Sequence, residues 1–285
     1  MPKKLAETAL IYDFDGTLAR GNLQECSFIP KINMTATQFW EEVKRRTKKE
    51  DADEILVYMH LMLEKARDAN EKVTKKMLRK HGKDVPLFTG LKGRTWFKRI
   101  DKFARANGLD LQHYIISSGI EEMIRGCPIQ NAFRRVYASK YIYEGNVAAW
   151  PGVAINYTTK TQYLFRINKG IDNHSDREAL NAYMPEASRP IPFNRMIFLG
   201  DGDSDIPAMK MMTLQGGYSV AVYDPKKSEK DLVKIHRLIS DNRADFVAPA
   251  NYEESSQLDI IIKGILVRIA HGVKQPSPGG RTRAR

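Results

Sequence analysis

ETALIYDFDGTL, at residues 7–18, opens as an apolar run and closes on turn residues: Ala9, Leu10, Ile11 and Tyr12 lead into Asp13, and Asp15-Gly16-Thr17 follow at once. A short apolar run bounded by an Asp-Gly turn reads as a buried strand that delivers polar groups to the loop at its carboxyl end. The same form recurs twice. LQHYIISSG, 111–119, ends in Ser117, Ser118 and Gly119, and NRMIFLGDGDSD, 194–205, ends in Asp201, Asp203 and Asp205. Two shorter apolar runs follow, YSVAVYD at 218–224 and ADFVAP at 244–249. The Tyr- and Val-rich segment 133–157, with turn signals at Glu144-Gly145-Asn146 and Pro151-Gly152, predicts a strand and a hairpin-like excursion.

Between the first two strands the texture changes to helical periods. TATQFWEEVKRR (35–46), with Thr37 as the expected N-cap, is followed by EDADEILVYMHLMLEKARDA (50–69), in which Ile55, Met59, Met62 and Leu63 share a face, and then by EKVTKKMLRK (71–80). TWFKRIDKFARANG predicts an amphipathic helix closing at Gly108. A further helix starts near Thr159 and ends at Lys169-Gly170, 171–194 reads as a polar loop with three prolines, and IPAMKMMTL is helical. Apolar strands alternating with helices predict an α/β fold, a Rossmann-like, doubly wound and mostly parallel sheet with helices on both faces. The expected organisation is a core of residues 1–21 and 93–272, a helical insert at 22–92, and a disordered basic tail at 273–285.

Two cysteines, Cys26 and Cys127, are too few for a disulfide scaffold or a four-cysteine zinc site and suit a reducing compartment. The N-terminus lacks the apolar stretch of a secretory signal, and LDIIIKGILVRIA (258–270) is too short and too charged to span a membrane, so the expected location is the cytoplasm. The net charge is +12, from 46 basic and 34 acidic residues. Residues 1–105 contribute +8 (23 against 15), 106–273 contribute none (19 against 19) and the tail adds +4. Such a field favours an anionic substrate or partner, nucleic acid included, although no aromatic-interleaved basic motif accompanies it and a solvated helical face is the plainer reading.

Ligand sites of open parallel sheets lie beyond the carboxyl ends of the strands. If the strands that end at Asp13/Asp15, Ser117/Ser118 and Asp201/Asp205 are neighbours, at least three carboxylates converge. That is costly unless a cation sits among them, and carboxylate oxygens suit Mg²⁺ with room left for a phosphate. A phosphoryl group also needs an attacking atom, a proton donor and groups that bind its oxygens, and the same residues offer all three.

DFDGTL at 13–18, IISSG at 115–119, a lysine at a helix start and GDGDSD at 200–205 together resemble the four motifs of the haloacid dehalogenase superfamily, in order and in strand context. The resemblance implies that Asp13 is the nucleophile and a Mg²⁺ ligand, and that Asp15 is the general acid/base and ligates through its backbone carbonyl. Ser117, with Ser118 beside it, would bind the phosphoryl group, and Asp201 and Asp205 would complete the metal site. Lys160 fits the third motif, with Lys169 as its rival. An acid two residues after the nucleophile resembles the phosphatase branch, and the second and fourth motifs look most like the phosphoserine phosphatase-like group, with the insert in the position of the family's cap domain. The expected function is Mg²⁺-dependent hydrolysis of a phosphomonoester on a small metabolite through an aspartyl phosphate. The alternative is a phosphatase or binding protein for a polyanionic partner such as nucleic acid ends or a phosphoprotein.

Overall fold

The apolar run at the start of the chain does form a strand, β1 (Ala6–Tyr12), and its side chains divide by the two-residue period of a pleated sheet. Leu10 and Tyr12 enter one buried cluster and Ala9 and Ile11 the other, so helices must cover both faces. The computed structural model describes residues 5–202, 204–226, 233 and 237–274. Asp203 and the tail from residue 275 on lie outside the described residues. The part of the tail at 273–274 belongs to a helix.

Among the described residues the strands form one sheet in the order β4-β3-β2-β1-β5-β6-β7. The strands that follow β1 are β2 (Leu109–Ile120), β3 (Arg135–Glu144), β4 (Val147–Val153), β5 (Met196–Gly200), β6 (Tyr218–Tyr223) and β7 (Phe246–Pro249). All neighbouring pairs are parallel except β3 and β4, which make the expected hairpin. With β2 and β5 on either side of β1, the three strands that end in polar motifs are adjacent and open on the same edge.

The insert is helical. It holds α1 (Leu23–Lys31), α2 (Ala36–Glu50), α3 (Glu54–Asp68) and α4 (Lys75–His81). Helix α2 is capped by Thr35, not by the expected Thr37. Thr35 and Gln38 satisfy each other's backbone N–H groups in a capping box, which fixes the start two residues earlier. The chain leaves and re-enters the core along paired segments: Arg20 N–H donates to the Pro86 carbonyl and Phe88 N–H to the Leu18 carbonyl. One continuous buried cluster runs from β1 through Phe28, Phe39 and Met59 of the insert to α5 (Thr95–Ala106) and the last helix, so the insert and this side of the sheet share a core.

The opposite face is covered by α7 (Thr159–Lys169) and α9 (Ile206–Leu214), with the short α6 (Glu121–Ile124) after β2 and α10 (Gln257–Lys274) closing the first face. The polar loop at 171–194 contains a five-residue helix, α8 (Arg177–Asn181), started by the Asp176 side chain, which accepts the Ala179 N–H. No helix among the described residues is long and apolar enough to cross a membrane.

Candidate active site

Most of the candidate side chains are placed by the end of a strand, and Lys160 by the start of a helix. The Asp13 N–H donates to the Leu199 carbonyl of β5 at 2.8 Å, which ties the first residue beyond β1 to the neighbouring strand. Gly16 turns the chain at φ +73°, and a Cβ there would collide with the Asp201 carboxylate, so the loops after β1 and β5 meet only because this position is glycine. The Asp15 Oδ1 accepts the Leu23 N–H at 2.9 Å, at the first turn of α1. Burial, and next to it the charge of Asp13, hold the Asp15 carboxyl well above the usual carboxylate range, which favours its protonated form.

In β2 the ladder to β3 jumps from Ser117↔Ala138 to Ile120↔Ser139, so Ser118 and Gly119 are pushed out of register as a bulge. Ser117 is fully buried and its Oγ accepts the Gly119 N–H at 3.0 Å. A side chain at 119 would meet Asp15 Oδ2 at 2.9 Å and Ser117 Oγ at 3.3 Å, so the bulge and the Asp15 carboxyl close on one another. Ser118 places its carbonyl, not its hydroxyl, in a contact with the insert: the Tyr58 hydroxyl donates to it at 2.6 Å.

Lys160 and Lys169 lie on the same helix, nine residues apart, which is two and a half turns and therefore opposite faces. Lys160 faces the carboxylates, fully buried, with its Nζ 2.6 Å from Asp205 Oδ1, 3.3 Å from Asp13 Oδ1 and 3.2 Å from Ser204 Oγ. Lys169 instead donates to the carbonyls of Leu180 and Ala182 and anchors the 171–194 loop. Burial by itself lowers the Lys160 pKa. The carboxylates of Asp13 and Asp205 outweigh it and hold its pKa above that of an ordinary lysine.

Asp13, Asp201 and Asp205 each bring a carboxylate oxygen within 4.8 Å of the others. Asp205 also accepts the Asp201 N–H at 3.1 Å, and the buried Asp13 Oδ1 has the Lys160 ammonium 3.3 Å away. Three carboxyl groups, two of them buried, crowd beside one ammonium, and the donor set is all oxygen. Both features fit a hard divalent cation such as Mg²⁺. Asp15 contributes no side-chain oxygen to this set.

Asp13, Asp15, Ser117, Ser118 and Asp201 line one side of a cavity of about 800 Å³, and Trp40 and Tyr58 of the insert line another. The helical stripe read in α3 is Ile55, Met59, Met62 and Leu63 and leaves Tyr58 out, and nothing in the spacing signals its hydroxyl contact. Ser204, inside the quoted GDGDSD run, is a second partner of Lys160 that the motif reading leaves out. His81 bonds to Ser27, and His113 to Tyr12 and Asp101, none of which belongs to the strand-end motifs.

A family model described as haloacid dehalogenase-like hydrolase matches residues 10–210, which span the three strand-end motifs and Lys160. The chain belongs to the haloacid dehalogenase-like hydrolase family. An uncharacterized protein of Borreliella burgdorferi is 26% identical over 278 residues, covering 88% of this chain and 93% of the relative. Among solved structures, a HAD family hydrolase of Salmonella enterica serovar Typhi superposes with a TM-score of 0.56 at 15% identity, covering 93% of this chain and 73% of that one. A substrate-bound phosphoserine phosphatase superposes with a TM-score of 0.51 at 16% identity, covering 90% of this chain and 98% of that one. The fold is thus that of this hydrolase family, phosphatases among them.

The buried Lys160 carries a stability prediction. Lys160→Met removes the ammonium between two buried carboxylates, and truncating one partner of a buried ion pair costs roughly 3–5 kcal/mol. Thermal unfolding in the presence of a chelator should show a matching drop in Tm, and Asp205→Asn in the same background should recover part of it. An unchanged Tm would mean that the pair is not buried as described.

Proposed function

We propose that this hydrolase is a Mg²⁺-dependent phosphatase that cleaves a small phosphorylated metabolite through an aspartyl phosphate on Asp13. The observation that carries the reading is the buried Asp13 carboxylate, held beside the Lys160 ammonium at 3.3 Å and sharing one cavity with Asp15 and Ser117. Asp13 attacks phosphorus, forming the acyl phosphate as the ester P–O bond breaks. Asp15, whose environment favours the protonated form, gives its proton to the leaving oxygen and then takes one from the water that hydrolyses the intermediate. Ser117 and Lys160 hold phosphoryl oxygens, with Ser118 beside them. Asp13, Asp201, Asp205 and the Asp15 backbone carbonyl would hold the divalent cation. When bound, the cation supplies the positive charge that lets a phosphate approach a carboxylate.

A small ester is favoured over a polyanion by the arrangement of charge and shape. Asp13, Asp15 and Asp201 share a cavity of about 800 Å³ with side chains of the insert, and Arg45 and Arg46 of α2 pair with Glu42 and Glu64 rather than offering a bare basic face. Hydrolysis of a generic aryl phosphate that depends on added Mg²⁺ is the first test. Failure of such turnover would remove the phosphatase reading.

The insert is proposed to act as a cap that selects the leaving group. Its shared core with the sheet means that deleting it would expose buried apolar surface, so a single substitution is the cleaner probe. Trp40 is half-buried on the cavity wall, its indole N–H held by Glu25 at 2.6 Å. Trp40→Ala should raise KM for the preferred ester about 10-fold or more while moving kcat on aryl phosphate far less, because it removes contact area remote from the reacting centre. An unchanged ranking across a panel of phosphate esters would place selection in the core.

A further inference from the structure

Tyr58 lies on the insert, sixty positions from the residue it touches, yet its hydroxyl donates to the Ser118 carbonyl at 2.6 Å. That carbonyl belongs to the same peptide unit as the Gly119 N–H. In a planar trans peptide the two groups point in opposite directions. While one end of the unit is taken by Tyr58, the other end donates to Ser117 Oγ at 3.0 Å. The Ser117 oxygen is therefore fixed as an acceptor, and its own proton is left for an acceptor in the cavity. The peptide sits in the β2 bulge, outside the sheet ladder, so it lacks the strand-to-strand bonds that would otherwise hold it. Tyr58 itself is held: it is buried and packs edge-on to Trp40 with ring centroids 5.8 Å apart.

We propose that Tyr58 is a positioning residue that orients the Ser117 hydroxyl through the Ser118–Gly119 peptide, and so couples the seating of the insert to phosphoryl binding. This rests on the phosphatase reading above, in which Ser117 holds a phosphoryl oxygen. The consequence is that a substrate bound while the insert is displaced meets a Ser117 hydroxyl free to rotate, and catalysis is strongest with α3 in place.

The test is a double-mutant cycle on the full-length protein, with an aryl phosphate and Mg²⁺. Tyr58→Phe keeps the ring and removes only the donor, and should lower kcat/KM about 10-fold, the scale expected when a catalytic contact is slightly misplaced. In the Ser117→Ala background the same substitution should change kcat/KM by less than about twofold, since there is no hydroxyl left to orient. Amide hydrogen exchange of the 115–122 segment should also quicken in Tyr58→Phe, a readout independent of turnover. Equal losses in both backgrounds, or a Tyr58→Phe enzyme within about twofold of the parent and with unchanged exchange, would overturn the proposal while leaving the phosphatase reading intact. A parent protein inactive on aryl phosphate with Mg²⁺ would overturn both.

Discussion

Asp13→Asn should cut phosphate ester turnover by roughly 10⁴-fold or more while the protein stays folded, because an amide neither attacks phosphorus nor forms an acyl phosphate. The substitution is nearly isosteric. It also leaves Lys160 its closer partner, Asp205 at 2.6 Å, so the buried ammonium is not stranded. The Asp13 backbone bond to Leu199 is untouched. Loss of activity with an unchanged circular dichroism spectrum and a Tm within a few degrees is the expected result, read from kcat on an aryl phosphate. Substantial residual turnover would assign the attack to another group or to water.

Removing divalent cations should have an effect of similar scale. Asp13, Asp201 and Asp205 converge with one ammonium among them, so a phosphate dianion brought to the same place meets net negative charge unless a cation is bound. Excess chelator should bring activity to about 1% or less, and Mg²⁺ should restore it. Ca²⁺ should restore little, since its larger and looser shell does not hold the carboxylate and the phosphate at the spacing that Mg²⁺ does. A second readout needs no substrate: a cation that binds only the folded protein raises Tm with its concentration. Asp201→Asn should blunt that rise. Full activity in excess chelator would contradict a metal at this site.

Much of this site is legible in the sequence because the chemistry lies at strand ends. An apolar run that stops at a polar group marks both a buried strand and the edge where ligands bind, which is why Asp13, Ser117 and Asp201 stand out as candidates in the sequence. The fold brings these three together because β2, β1 and β5 are neighbours and parallel. Lysines on a helix carry no such mark. Lys160 and Lys169 both sit near a motif, and only the helical phase, with one facing the carboxylates and the other the 171–194 loop, separates them.

Contacts between distant segments are the least legible. Tyr58 is not singled out by the stripe of Ile55, Met59, Met62 and Leu63, yet it is buried and its hydroxyl donates to a peptide sixty residues away. The N-cap of α2 is displaced from Thr37 to Thr35 because a reciprocal bond with Gln38 outweighs the hydroxyl nearest the apolar run. In 171–194 proline and polarity signal a loop, whereas the Asp176 cap and the Lys169 and Arg166 bonds to its carbonyls give it defined turns.

With Asp13 as the proposed nucleophile, the phosphoryl group is expected to pass through its carboxylate. Asp15→Asn should slow hydrolysis of the intermediate by removing the base that activates water, typically about 10²–10⁴-fold, so the phosphorylated form accumulates. Acid quenching of that variant during turnover of an aryl phosphate with Mg²⁺, followed by proteolysis and mass spectrometry, reads the site directly. One phosphoryl group on the peptide that carries Asp13, absent from the Asp13→Asn, Asp15→Asn double variant, is the predicted result. Turnover with no phosphoryl group on Asp13, or with one on another residue, would contradict the account.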